Sequence, residues 1–397
     1  MEHKTRIKGN VHYVGVNDRN KHRFEGMWPL PYGVSYNSYL IDDEMVALVD
    51  TVDICYFEVY LRKIKQVIGE RPINYLIINH MEPDHSGSIR LIKQHYPEII
   101  IVGNKQTFGM IEGFYGVTGE QYLVKEGDFL ALGHHKLRFY MTPMVHWPET
   151  MMTFDETDGV LFSGDGFGCF GTVDGGFLDT RINVDKYWGE MVRYYSNIVG
   201  KYGSPVQKAL QKLGGLPISA ICSTHGPVWT ENIAKVIGIY DRLSRYDADE
   251  GVVIAYGSMY GNTEQMAEAI AEELSAQGVK NIVMHNVTKS HPSYIIADIF
   301  RYKGLIIGSP TYSNQIFPEV EALLSKILLR EVKGRYLGYF GSFTWAGAAV
   351  KRLAEFAEKS KFELVGDPVE MKQAMKDLTY TQCENLARAM ADRLKKD

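Results

Sequence analysis

The stretch INHMEPDHSGS, residues 78–88, packs His80, Glu82, Asp84 and His85 together at the end of an apolar run. Imidazole and carboxylate are both metal ligands. Residues two apart in an extended loop point the same way, so His80, Glu82 and Asp84 make a half-site for a metal. Three more ligand-type residues follow apolar strands: His146 in MVHWPET, Asp165 in FSGDGFG and His225 in CSTHGPVW, each in a loop containing Gly or Pro. Singly, a His at a strand end is more often an ordinary core or surface residue, and an Asp before Gly is more often a turn residue. That ordinary reading is given to His12, His22, His95, His134, His135, His285 and His291. The ordered set, HxExDH followed by His, Asp and His, points instead to a metal site.

A second constellation lies in the C-terminal part. The loop in AYGSMYGNTEQM (255–266) offers Ser258, Met259, Tyr260, Gly261, Asn262 and Thr263 at the start of a helix, where hydroxyls and free amides favour a phosphate. It is neither a Walker A loop nor GxGxxG. Two further loops end strands on the same edge: GSPTYSNQIFP, with Pro310, Thr311, Tyr312, Ser313 and Asn314, and GSFTWAGAA, with Ser342, Phe343, Thr344, Trp345, Ala346 and Gly347. Tyr312 and Trp345 lie in polar loops and could flank a planar ring, while nearby backbone groups hold its polar edge. Three loops at one sheet edge form the switch point where such sheets bind cofactors. The pattern resembles flavodoxin, which implies FMN. A receiver domain shares the strand order but would carry acidic residues where Ser258 and Thr263 stand.

The elements that must position these groups differ between the two parts. Up to about residue 246 the chain reads as short strands, with hairpins at SYNSYLID/MVALVDTV and around Asp158-Gly159, and a buried strand INYLIINH running into the histidines. From 251 onward strands and helices alternate: VVIAYGS, NIVMHNV, KGLIIGSP, RYLGYFGSF and FELVG are the strands, and TQCENLARAMADRLKKD is a closing helix. Alternation of this kind gives parallel strands with helices on both faces. Two segments are therefore expected, 1–246 and 251–397, with the acidic DADE (247–250) as the linker.

Bulk properties exclude several classes. With 397 residues, 45% apolar, the chain has core material for two or three domains. Its formal net charge of −5 leaves no electrostatic footprint for nucleic acid. It contains no apolar run long enough for a membrane span, and MEHKTRIKGN lacks the apolar core of a secretory signal, so a cytoplasmic location is expected. Cys55, Cys169, Cys222 and Cys383 form no CxxC pair, which speaks against a disulfide framework or a fused iron–sulfur module.

The order of ligand-type residues resembles the metallo-β-lactamase fold, an αββα sandwich whose hydrolases carry HxHxDH and usually zinc. Here Glu82 replaces the second His. An anionic oxygen in place of an imidazole gives a carboxylate-rich site that suits redox-active iron better than zinc. The HxExDH variant joined to a flavin domain is similar to the flavodiiron protein (A-type flavoprotein) family, over essentially the whole chain. The resemblance implies two irons and one FMN per chain, and a flavodoxin-like doubly wound sheet of strand order 2-1-3-4-5. It implies His80, Glu82 and His146 on one iron, Asp84 and His225 on the other, and Asp165 bridging. His85 is expected beside the ligands or occasionally among them.

The activity so implied is reduction of dioxygen to water, of nitric oxide to nitrous oxide, or of both, as reduced FMN and a diferrous pair together store four electrons. An external donor, rubredoxin or similar, is implied, as is a head-to-tail homodimer or a dimer of dimers. Trp147 and Tyr194 or Tyr195 are candidates for lining the gas pocket. The competing class is a zinc hydrolase of the β-lactamase fold with a tethered flavodoxin-like domain, against which Glu82 argues. A non-catalytic FMN electron carrier is a third reading, opposed by the complete ligand set.

Overall fold

Short apolar strands in the N-terminal part pair into two sheets that share one core. In the computed structural model, which describes residues 5–396, the first sheet has seven strands. In spatial order they are Arg6–Lys8, Val11–Tyr13, Tyr39–Ile41, Ala47–Val49, Tyr75–Ile77, Ile100–Gly103 and Gln121–Leu123. The second has five: Phe129–Ala131, Lys136–Met141, Met151–Asp155, Val160–Gly164 and Ala220–Ser223. Inward residues of both sheets, such as Tyr39, Val49 and Ile77 from one and Leu137, Phe139 and Phe162 from the other, form a single buried cluster. Amphipathic helices such as Phe57–Ile68 and Gly203–Leu213 bury one face each, completing the αββα sandwich. Both expected hairpins are antiparallel pairs, Tyr39↔Val49 and Thr153↔Phe162 among their registers.

The sandwich collects one set of strand ends. Tyr75–Ile77 leads to His80, Val160–Gly164 to Asp165 and Ala220–Ser223 to His225, while the loop carrying His146 enters the antiparallel strand Met151–Asp155 from the same end.

The chain divides between Asp241 and Arg242 into two compact units. This point lies inside the helix Ile233–Ser244, and Asp249 and Glu250 of the acidic run already begin the strand Asp249–Tyr256. Residues 1–4 and 397, at the outer ends of the two expected segments, lie outside the described residues.

In the second unit the parallel order is Ile282–Asn286, Asp249–Tyr256, Tyr302–Tyr312, Tyr336–Phe343, then a fifth strand, which is the order 2-1-3-4-5. The fifth is in two pieces, Glu363–Leu364 and Val369–Lys372, both paired to Tyr336–Phe343. Gly366 (φ +68°) and Pro368, which has no N–H for a ladder, interrupt it. Among the described residues no helix is long and apolar enough to cross a membrane.

Candidate functional site

Two buried half-sites meet at Asp165. In the first, Nε2 of His146 stands 3.1 Å from Glu82 Oε2 and 3.0 Å from Asp165 Oδ2, and Nε2 of His80 faces the same two oxygens at 3.4 and 3.6 Å. In the second, Nε2 of His225 is 3.4 Å from Asp84 Oδ2, and Nε2 of His85 is 2.9 Å from Asp165 Oδ1 and 3.2 Å from Asp84 Oδ1. Asp165 thus turns one oxygen to each side. All seven residues are at most 8% exposed.

The sequence suggested that His80, Glu82 and Asp84 share one extended loop and one direction. The extended stretch instead ends at Glu82 (ψ 136°), and Pro83 opens a single helical turn, Pro83–Ser86. Proline fits the first helical position because its missing N–H is not needed there. The turn carries Asp84 and His85 to the second half-site and leaves His80 and Glu82 in the first. Gly226 (φ +82°) follows His225, and a Cβ there would lie 2.2 Å from Cys169 Sγ, so only glycine lets the His225 loop pass.

The donor atoms are aimed at two centres rather than at one another. His80 Nε2, His225 Nε2, His85 Nε2 and both oxygens of Asp84 are buried without a well-formed hydrogen bond. Buried polar atoms left this way cost about 1–3 kcal/mol each, and a metal ion satisfies them. Imidazole and carboxylate donors without thiolate suit iron, zinc or manganese. The fit to a pair of metal ions bridged by Asp165 is good.

The other ring nitrogens are fixed from behind. His80 Nδ1 lies 2.8 Å from Glu149 Oε1, which also accepts the Met81 amide at 2.9 Å. His225 Nδ1 lies 2.7 Å from the Ser35 carbonyl oxygen, and the Thr224 hydroxyl bonds to Asp165 Oδ1. Asp50 accepts the backbone amides of Asn79 and His80 at 2.8 and 3.4 Å. Burial alone would depress His146, yet the carboxylates of Asp165 and Glu82 raise it to about 9. His85 is likewise raised to about 9, against its burial, by Asp84 and Asp165. Burial pushes the Asp165 and Glu82 carboxyls up, but the surrounding imidazoles prevail and hold both below the usual range. Glu149, Asp50, Thr224 and Ser35 carry no motif signal, since each acts through a contact made only in the fold.

A 420 Å³ cavity opens on Glu82 and Asp84, with Phe24, Lys21, Arg90 and Tyr115 in its walls. Trp147, Tyr194 and Tyr195 are not among its lining residues. Trp147 stands edge-on to His80 at 5.3 Å, and Tyr194 lies 5.7 Å from the His225 ring. Phe24, 5.2 Å from His225, lines the cavity, as do Phe114 and Tyr115.

In the second unit a 440 Å³ cavity lies at the C-terminal edge of the parallel sheet. It is lined by Ser258, Met259, Tyr260, Asn262 and Thr263, by Pro310 to Asn314, and by Ser342 to Ala346. Gly261 and Gly347 do not line it. Gly261 instead gives the helix Asn262–Ala276 its left-handed entry at φ +90°. Gln373, at the end of the split fifth strand, lines the cavity and was not marked by any loop motif. Thr263 and Ser342 face each other through their hydroxyls at 2.8 Å. The Thr311 hydroxyl, while lining the cavity, accepts the Ala348 and Ala349 amides at the start of the next helix. Tyr312 and Trp345, the pair expected to flank a planar ring, both line the cavity and are 47% and 83% exposed.

Comparison with known proteins gives two matching families: ODP family beta lactamase over residues 34–226 and flavodoxin over 254–385. An anaerobic nitric oxide reductase flavorubredoxin of Vibrio vulnificus is 32% identical over 363 residues, 90% of this chain and 73% of that protein. The protein of that name from Escherichia coli is 31% identical over 364 residues, 90% of this chain and 76% of its own. Rubredoxin oxygen:oxidoreductase from the anaerobe Desulfovibrio gigas superposes with a TM-score of 0.93 at 31% identity, covering 98% of this chain and 97% of that one. The flavodiiron protein of Giardia intestinalis superposes with a TM-score of 0.92 at 27% identity, covering 98% and 95%.

Proposed function

Taking as premise that the chain belongs to the flavodiiron protein family, we propose that it is an oxidoreductase reducing dioxygen to water, nitric oxide to nitrous oxide, or both. Its reaction centre is a pair of irons held by His80, Glu82, Asp84, His146, Asp165 and His225, with His85 beside them. Electrons arrive through FMN from an external donor such as rubredoxin.

The observation that carries this reading is Asp165, whose two oxygens face two separate buried half-sites. A pair of metal ions held by these donors would offer neighbouring positions for a diatomic molecule or for two nitric oxides. When bound, iron supplies electrons and a Lewis acid to the gas, and FMN supplies a stored electron pair. The chain's own residues do the rest. Glu149 and the Ser35 carbonyl hold His80 and His225 with Nε2 toward the centre, so the ligands need no reorganisation. Glu82 and Asp84 add negative charge that favours the ferric state, and burial keeps bulk water from competing. In the second unit the amides at the start of Asn262–Ala276, with Ser258 and Thr263, suit the single phosphate of FMN.

The relatives' names divide between the gases: the Vibrio protein is named for nitric oxide, the Desulfovibrio protein for oxygen. Both substrates are therefore kept. A head-to-tail homodimer, or a dimer of dimers, would bring the FMN cavity of one protomer to the metal centre of its partner.

The test is metal and flavin content of protein from iron-supplemented cells, followed by anaerobic reduction and exposure to each gas. Two irons and one FMN per chain, with turnover of either gas, support the reading. Two zincs per chain from such cells, and no turnover, would overturn it in favour of a hydrolase.

A further inference from the structure

A third cluster of ligand-type side chains lies in the first unit, away from the two half-sites. One nitrogen of His135 and one carboxylate oxygen each of Asp155 and Asp158 fall within 4.8 Å of one another. His135 sits in the turn between the strands Phe129–Ala131 and Lys136–Met141. Asp155 and Asp158 flank the turn of the neighbouring hairpin. That turn is at the far end of the strands from His146 and Asp165, about 17 Å away for five residues of strand.

Three features distinguish this cluster from an ordinary surface pair. His135 and Asp155 are 1% and 0% exposed, so both have left bulk water. His135 Nδ1 lies 2.9 Å from Asp155 Oδ2, so it is this nitrogen that faces the carboxylates, and the buried Nε2, unpartnered among the described residues, lies on the far edge of the ring. The Asp158 carboxylate is seated on Gly9, where a Cβ would come within 1.9 Å of Oδ2. The amides of His134 and His135 are also pinned by Asp43, at 3.2 and 2.6 Å, so the turn carrying the imidazole is fixed.

From this geometry we infer that His135, Asp155 and Asp158 form a binding site for a single divalent cation of zinc's character, which pegs the two turns together. One imidazole and two carboxylates make a three-ligand set that leaves a position for water. The imidazole must be neutral to bind, so the cation takes the place of its proton. The site is independent of the reaction centre and of what that centre reduces.

The test uses the iron- and flavin-loaded full chain, dialysed against micromolar zinc, with zinc and iron measured per chain. Wild type is expected to hold one more zinc per chain than Asp158→Asn, and zinc is expected to raise the melting temperature of wild type alone, with iron retained equally by both. His135→Gln should match Asp158→Asn; if it fails to fold, the half-exposed Asp158→Asn still decides. Zinc that merely displaces iron appears equally in both proteins and leaves no difference between them. Equal zinc in wild type and Asp158→Asn would overturn the inference and leave the cluster as a buried ion pair.

Discussion

The carboxylate of Glu149 determines which nitrogen of His80 faces the reaction centre: Oε1 stands 2.8 Å from Nδ1, and Nε2 is left pointing toward Glu82 and Asp165. Such partners hold a ligand's tautomer and ring angle, and losing one typically costs about 10- to 100-fold in metal affinity. Glu149→Ala should therefore weaken the first half-site by about that factor, measured as iron retained against a competing chelator. Glu149→Gln, which keeps an oxygen acceptor, should lose less. Equal retention by all three proteins would show that His80 is oriented by packing alone.

Glu82 is where the site departs from an all-imidazole first half-site. Glu82→His exchanges an anionic oxygen for a neutral nitrogen, which favours zinc relative to iron. Reconstitution with equal iron and zinc should shift the bound ratio toward zinc by about tenfold, a direction set by ligand hardness. An unchanged ratio would mean that the remaining carboxylates, Asp84 and Asp165, set the preference.

Much of this site was legible because its candidate ligands follow apolar strands, and strand ends are where a sheet releases side chains into loops. His80, His146, Asp165 and His225 could be ordered from that alone. The separation of Asp84 from His80 and Glu82 came only from the family resemblance; spacing alone put all three in one direction, although Pro83 signals a helical turn in the middle of the motif. Glu149, Asp50 and Gln373 could not be found from spacing, because each matters only through a partner distant in sequence. The strand alternation of the second unit gave its parallel strands, and the resemblance to flavodoxin gave their order. The fifth strand was read as one short piece because Gly366 and Pro368 interrupt its periodicity.

Tyr194 is fully buried, its ring 5.7 Å from His225, and its hydroxyl has no partner among the described residues. A buried hydroxyl without a partner costs about 1–3 kcal/mol, so Tyr194→Phe should leave stability unchanged or raise it by about 1 kcal/mol. If the hydroxyl delivers a proton to the bound gas, turnover should fall tenfold or more in the same variant. Higher stability with full turnover would make it a core residue only.

The raised values of His85 and His146, each about 9, carry a sign for pH. In protein stripped of metal, both imidazolium ions are held more tightly by the fold than by the unfolded chain, whose reference value is 6.5. Their stabilisation is fully present below that value and is lost as pH rises through about 9. Glu82 and Asp165, held low, contribute above their unfolded values and lose that contribution only as pH falls into the acid range. Ligation needs neutral imidazole, so ferrous iron added at pH 7 should release at least one proton, and its apparent affinity should climb up to about pH 9. Titration of the released protons checks this. Iron uptake with no proton release would show that the imidazoles are already neutral.

Arg335 is 1% exposed, and its guanidinium donates to the carbonyl oxygens of Ile299, Phe300, Tyr246 and Lys333 at 2.7–2.9 Å. Burial pushes it down to about 10, still charged at neutral pH. The charge is tolerated because backbone dipoles from several turns converge on it, and the planar fork fits them in a way that an ammonium cannot. Arg335→Met fills the volume but leaves those carbonyls unpaired, which should cost about 3 kcal/mol on the cost of buried orphaned acceptors. The melting transition of the flavin-binding unit should fall accordingly, and Arg335→Lys should recover only part of the loss. Full recovery by lysine would show that the positive charge, and not the geometry of the fork, holds these turns together.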